Sequence, residues 1–206
     1  EMCIRDSDYF IFNDKTEDIQ SLEKEKYKAT HDRLTGLYNK DQFYVETYKI
    51  LHRNADVPYC MLCSNIRDFK FVNELFGIEK GNEILLKQAD IIKKHAVDGY
   101  LYGRVGEDHF VVIADEATFN EEHLYECRET LQNVLSDSVY NVRVCFGIYR
   151  TDNMNESLSF MCDKASFAVA SIKDDTHSFI AYYDDTMLEA AIKYKTIVDE
   201  FDDAIK

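Results

Sequence analysis

Apolar positions along the chain follow two rhythms. The first is that of strands. Tyr59-Cys-Met-Leu-Cys-Ser-Asn-Ile66 is an eight-residue run of apolar and small residues, the pattern of a strand buried on both faces. Tyr100–Tyr102 and Phe110–Ala114 form two shorter runs, and Gly103, Gly106, Glu107 and Asp108 between them predict a hairpin. Val142–Tyr149 alternates as a strand, and Phe179–Tyr183 and Tyr9–Phe12 read as further short strands. The second rhythm has helical spacing. Asn39 is the expected N-cap of a helix over 40–54 that carries Phe43, Tyr44, Ile50 and Leu51. Gly77 divides a helix over 69–76 from one over 79–95, the latter with Ile84, Leu85, Ala89, Ile91 and Ile92 on one side. Helices are also predicted over 121–135, 157–172 and 186–205. A weaker one, starting at a cap on Asn13 or Asp14 and ending near Thr30, has Ile19, Leu22, Lys26 and Ala29 on a rough heptad stripe. Strands and helices in this order predict an α+β fold, with a mixed or antiparallel five-stranded sheet flanked by helices.

Composition narrows the class. With 206 residues, 46% of them hydrophobic and 31% charged, the chain is a globular domain with short appendages. Its 24 basic residues against 39 acidic ones leave a net charge of −15, which argues against a general nucleic-acid binder but permits one nucleotide in a local pocket. No apolar run approaches the ~18 residues of a membrane helix, so no membrane span is expected. The six cysteines include one close pair, Cys60 and Cys63. Three residues apart on a strand, they should face opposite ways, which predicts buried thiols rather than a zinc or redox site. Reduced thiols suit a cytoplasmic location.

Three segments carry candidate chemistry. The first is His31-Asp-Arg-Leu-Thr-Gly-Leu-Tyr-Asn39. The second runs from Asn65-Ile-Arg-Asp-Phe-Lys through Asn73 to Gly77, with Gly81 and Asn82 following. The third is Arg104-Val-Gly-Glu-Asp-His-Phe110. In order and spacing these resemble the D-x-L-T-G-L-x-N, D-I-D-x-F-K-x-x-N-D…G-H-x-x-G-D and R-x-G-G-D-E-F motifs of GGDEF domains, the diguanylate cyclase family, over about 31–183. The resemblance implies a nucleotidyl-cyclase-like palm fold and the condensation of two GTP molecules to cyclic di-GMP, each domain of a dimer presenting one GTP. It also implies divalent cations held by carboxylates, which neutralise triphosphate charge.

Position by position, the resemblance assigns roles and shows departures. The metal positions are Asn65, the Ile66 carbonyl and Asp108. Asn65 replaces a carboxylate, so Mg²⁺ is expected to bind weakly. In the signature Gly106, Glu107, Asp108 and His109, the second glycine has become Glu107, whose side chain intrudes on the nucleotide, and the glutamate has become His109. The nucleotide-binding positions are Phe69, Lys70, Asn73 and Asn82, the last replacing an aspartate that reads guanine. Arg67 reverses a charge near the phosphates. In the late helix, Ala170 and Asp174 stand where the family has a phosphate-gripping Lys and Arg, and Lys173 is displaced. The product-feedback R-x-x-D would fall at Val97 and Tyr100 and is absent. His31 and Thr35 are expected to brace the opening loop.

These departures lead to the expectation of a catalytically inactive regulatory or dimerising module that binds a guanine nucleotide. The alternatives are an active cyclase with divergent ligands and a ligand-free scaffold. The flanks extend the resemblance. Residues 1–7 resemble translated adapter sequence, and Tyr9–Ile19 resemble the last strand and D-I-T-E tail of a PAS sensor, so that 1–12 reads as a non-native start plus the end of an upstream sensor. The segment 13–30 reads as a signalling helix, and 184–206 as a connector leading towards an EAL domain. The implied partners are a second copy, joined through the domain and its connector helix, and flanking PAS-like and EAL domains.

Overall fold

The computed structural model describes residues 19–53, 57–96, 100–135, 140–151, 156–172, 175 and 177–204. Helix α1 occupies 19–30. After it come β1 (Tyr38–Asn39), α2 (Lys40–Arg53), β2 (Tyr59–Ile66), α3 (Phe69–Phe76), α4 (Ile78–His95), β3 (Leu101–Arg104) and β4 (Phe110–Asp115). The chain continues through α5 (Glu122–Asn133), β5 (Val144–Arg150), α6 (Leu158–Ser171), β6 (Ile180–Tyr182) and α7 (Asp185–Ala204). The expected strand at Tyr9–Phe12, the caps at Asn13 and Asp14, and Val97, Lys173 and Asp174 lie outside the described residues.

The strands form one mixed sheet in the order β1-β3-β4-β2-β5-β6. Central β2 is antiparallel to both β4 and β5, and β3 is antiparallel to β4. The edge pairs β1–β3 and β5–β6 are parallel. Among the described residues the sheet therefore has six strands rather than the expected five. The sixth, β1, is two residues long, too short for hydrophobic alternation to register, and it exists only because β3 offers an edge at Gly103 and Arg104.

The alternation of β2 decides both layers of the core. Cys60, Leu62 and Ile66 point to one face, where α4 and α5 bring Ile84, Leu85, Ala89, Leu124 and Leu131. Tyr59, Met61 and Cys63 point to the other, packed with Phe43 of α2 and Met161 and Ala165 of α6. Cys60 and Cys63 are thus in different layers, and the cysteines at 60, 63, 127, 145 and 162 are all free and buried. Two helix starts match their capping residues. The Asn39 side chain accepts the Gln42 amide hydrogen at 3.0 Å, and Ser157 accepts that of Phe160 at 3.3 Å. Between α3 and α4 the chain turns at Gly77 with φ +84°, a left-handed conformation that suits glycine.

Candidate functional site

The site forms because β2 is longer than its neighbour. Ser64 is the last β2 residue paired with β4, opposite Phe110, while Asn65 and Ile66 continue alongside β5. They run on against the loop of the β3–β4 hairpin, which the Val105 amide closes by donating to the His109 carbonyl at 2.9 Å. Asp108, 6% exposed, fills the place that a longer β4 would take, and its Oδ2 accepts the Ile66 amide hydrogen at 2.9 Å. Next to it, Asn65 Nδ2 and His109 Nε2 are 3.0 Å apart, and His109 Nδ1 is 3.4 Å from Asp108 Oδ1. The ring thus turns Nδ1 towards Asp108 and Nε2 towards the Asn65 amide. Asn65, His109, Asp108 and the Ile66 amide make one continuous polar chain. Burial pushes the Asp108 carboxyl up, against the pull of the His109 ring and of the Ile66 amide. Among the described residues no three His, Cys, Asp or Glu side chains are grouped to hold a metal ion.

A cavity of about 420 Å³ opens beside this chain. Asn65, Ile66, Phe69, Lys70, Glu107, Asp108, His109 and Ala170 all line it, so three separate segments of the sequence converge here. Asn73 and Asn82 do not line it. Asn73 sits half-buried on α3 with its side chain against Gly81 of α4, where an added Cβ would come within 1.9 Å of Asn73 Oδ1. Asn82 follows on α4, also half-buried. Gly106 is exposed at the hairpin tip, and a Cβ there would meet the His109 ring at 3.1 Å.

Several charged residues hold the frame rather than face the cavity alone. Arg104 Nη1 donates to Asp32 Oδ1 at 3.0 Å, and its Nε donates to the Glu107 carbonyl at 3.1 Å. One guanidinium therefore ties the opening loop to the hairpin. Asp32 also accepts the Thr35 amide and hydroxyl at 2.8 and 2.7 Å, so Thr35 braces that loop as expected. His31 stacks on Tyr27 with ring centroids 4.0 Å apart. Arg67 lines the cavity, yet its Nη2 donates to the Ile172 carbonyl at 2.7 Å and to that of Asp175 at 3.2 Å, pinning the segment after α6. Neither the Arg104–Asp32 link nor the Arg67 anchor was legible in sequence, because the paired residues lie 72 and 105 positions apart.

Residues 29–178 match the model of the diguanylate cyclase GGDEF domain. The chain is 34% identical over 105 residues to diguanylate cyclase DgcM of Escherichia coli K12, covering half of this chain and 26% of that protein. To the probable diguanylate cyclase DgcT of the same strain it is 29% identical over 122 residues, 58% of this chain and 27% of that one. The matched region is thus about a quarter of the length of these relatives. Among solved structures, the coiled coil and GGDEF domain of DgcB from Caulobacter crescentus, a complex with c-di-GMP, superposes with a TM-score of 0.67 at 19% identity, covering 85% of this chain and 99% of that one. The active GGEEF domain of a Vibrio cholerae diguanylate cyclase gives 0.58 at 18% identity, covering 71% and 97%. The fold, the hairpin joined to the end of β2 and the match over 29–178 give one conclusion: this chain belongs to the diguanylate cyclase GGDEF-domain family.

Proposed function

We propose that this domain serves cyclic-di-GMP signalling as a nucleotide-binding regulatory module that does not itself turn over GTP. The observation that carries this reading is the Asn65–His109 pair at 3.0 Å, which joins the two altered ligand positions to each other. A hard dication favours anionic oxygens. Here one position offers a neutral amide, another an imidazole, and the surviving Asp108 already holds the Ile66 amide. This donor set does not fit Mg²⁺, so no step is assigned to a metal. Glu107 adds a negative charge at a cavity meant for a triphosphate, and Ala170 supplies no cation there. Lys70 and Arg67 are the positive side chains on its wall, and the nucleotide would owe its binding to them.

The names of the relatives favour a second reading, an active cyclase making cyclic di-GMP from two GTP, with one GTP held by each domain of a dimer. Incubating the protein with GTP and Mg²⁺ or Mn²⁺ and following product by chromatography separates the two. The expected result is no cyclic di-GMP above a protein-free blank, with GTP binding seen by calorimetry; product from the unmodified protein overturns the proposal. Asn65→Asp with His109→Glu should strengthen metal binding and leave turnover near background. Adding Glu107→Gly and Ala170→Lys removes the obstruction and returns a phosphate cation, and this fourfold variant is the one expected to gain activity.

A further inference from the structure

On the α5 side of Arg67 lies a second cavity, of about 210 Å³. Three of the chain's eight arginines line it: Arg67 from the β2–α3 turn, Arg128 from α5, and Arg143 just before β5. In a chain of net charge −15 this is a local reversal of sign. Among the described residues no carboxylate lies within ion-pair distance of any of the three guanidiniums. Arg67 Nε is buried with no hydrogen-bond partner there. Arg128 lies over the Phe179 ring, 4.3 Å from its centroid, which fixes its plane without neutralising its charge. The one acid on the wall, Asp175, has its Oδ1 engaged by the His177 amide at 2.8 Å.

All three arginines line the cavity together with Cys145, whose thiol feels each of them. Burial pushes the Cys145 thiol up, while Arg67, Arg143 and Arg128 all pull it down. That buried sulfur stands in the wall of this cavity, and all three guanidiniums act on it. Like charges held together with no carboxylate in ion-pair contact repel, and a small anion relieves that repulsion. Guanidinium forks match phosphate oxygens in pairs, and Gln132 on the same wall adds a neutral donor.

We propose that the cavity walled by Arg67, Arg128 and Arg143 is a binding site for a small phosphate-bearing anion, beside the cleft at the hairpin and sharing only Arg67 and Cys145 with it. The site stands whether or not the hairpin cleft binds a nucleotide or turns one over. Its test is a calorimetric titration of the whole chain with inorganic pyrophosphate, free of divalent metal and at low salt. The unmodified protein should bind one pyrophosphate per chain. Arg128→Gln and Arg143→Gln should each weaken binding by about tenfold or more, the loss of one charge-assisted fork. Together they should abolish it. Lys70→Gln, in the hairpin cleft, should leave it unchanged. Gln132→Glu, an exchange on a helix wall that leaves all three arginines in place, should also weaken binding, so the result does not depend on the arginine variants folding. Thermal melts report whether each variant is folded. No binding by the unmodified protein overturns the proposal. Equal binding by the folded double variant does the same, as does loss of binding in Lys70→Gln, which would place the anion in the hairpin cleft.

Discussion

The Asp32 carboxylate accepts from the Thr35 amide, the Thr35 hydroxyl and Arg104, and this cluster holds the opening loop to the hairpin that carries Asp108. Burial raises its pKa, but the bonds from Thr35 and Arg104 outweigh that and hold it below 3.8. A depressed carboxyl contributes stability that is present above its unfolded pKa and lost as pH falls through the folded value. Asp32→Asn should therefore cost about 1 to 2 kcal/mol at pH 7, since an amide keeps one acceptor for Thr35 and loses the charge facing Arg104. The gap to the unmodified protein should narrow below pH 3.8, where the native carboxyl takes up its proton. Urea unfolding at pH 7 and at pH 3 checks this, and an equal gap at both would show that the charge is not the cause. At this scale the motif residues were legible in sequence, but not which partner each would take. Asp68 adopts φ +54° at the turn into α3, a left-handed conformation that nothing in its neighbours announced.

The cavity wall depends on how closely α6 approaches the sheet. Gly147 of β5 lies against that helix, and a Cβ there would be 2.0 Å from the Ala165 carbonyl oxygen and 2.6 Å from the Val169 amide nitrogen. Both obstacles are backbone, so no side-chain rotation relieves them. Gly147→Ala should destabilise the domain by about 3 kcal/mol, at the upper end for overpacking, and chemical denaturation measures it. A loss under about 1 kcal/mol would mean that α6 moves away from the sheet readily. Because α6 carries Val169 and Ala170 to the cavity, such movement would widen the cleft as well. Element identity was largely legible, since Ile84, Leu85 and Ala89 keep helical spacing and β2 is apolar throughout. The two-residue β1 was not, because its pairing to β3 is decided by a partner about 65 positions away.

Among the described residues, the first and last helices leave apolar side chains exposed. Ile19 and Leu22 of α1 are 58% and 68% exposed, and Ile192 and Ile197 of α7 are 59% and 54% exposed. Among the described residues no helix is long and apolar enough to cross a membrane. A second copy of the chain is the partner we propose for the α1 stripe, in keeping with a family whose reaction needs two domains. Leu22→Glu keeps helix propensity and places a charge on that stripe, so it should convert a dimer to a monomer in sedimentation velocity with little change in melting temperature. Persistence of the dimer at the same concentration would locate the interface elsewhere.

The sequence by itself determined the layered α+β architecture, the buried β2, the hairpin between Arg104 and Phe110, the Asn39 cap and the order of the motifs. Each follows from local spacing, which the backbone geometry of strand and helix converts directly into faces. The tertiary structure alone decided that β2 overshoots β4, so that Asp108 takes the Ile66 amide and Asn65 meets His109. It also decided that Arg104 holds Asp32, and that Arg67, Arg128 and Arg143 share one cavity. These depend on strand register and on contacts between distant segments. Register is set by the packing of both sheet faces at once, and no local window of the chain contains that information.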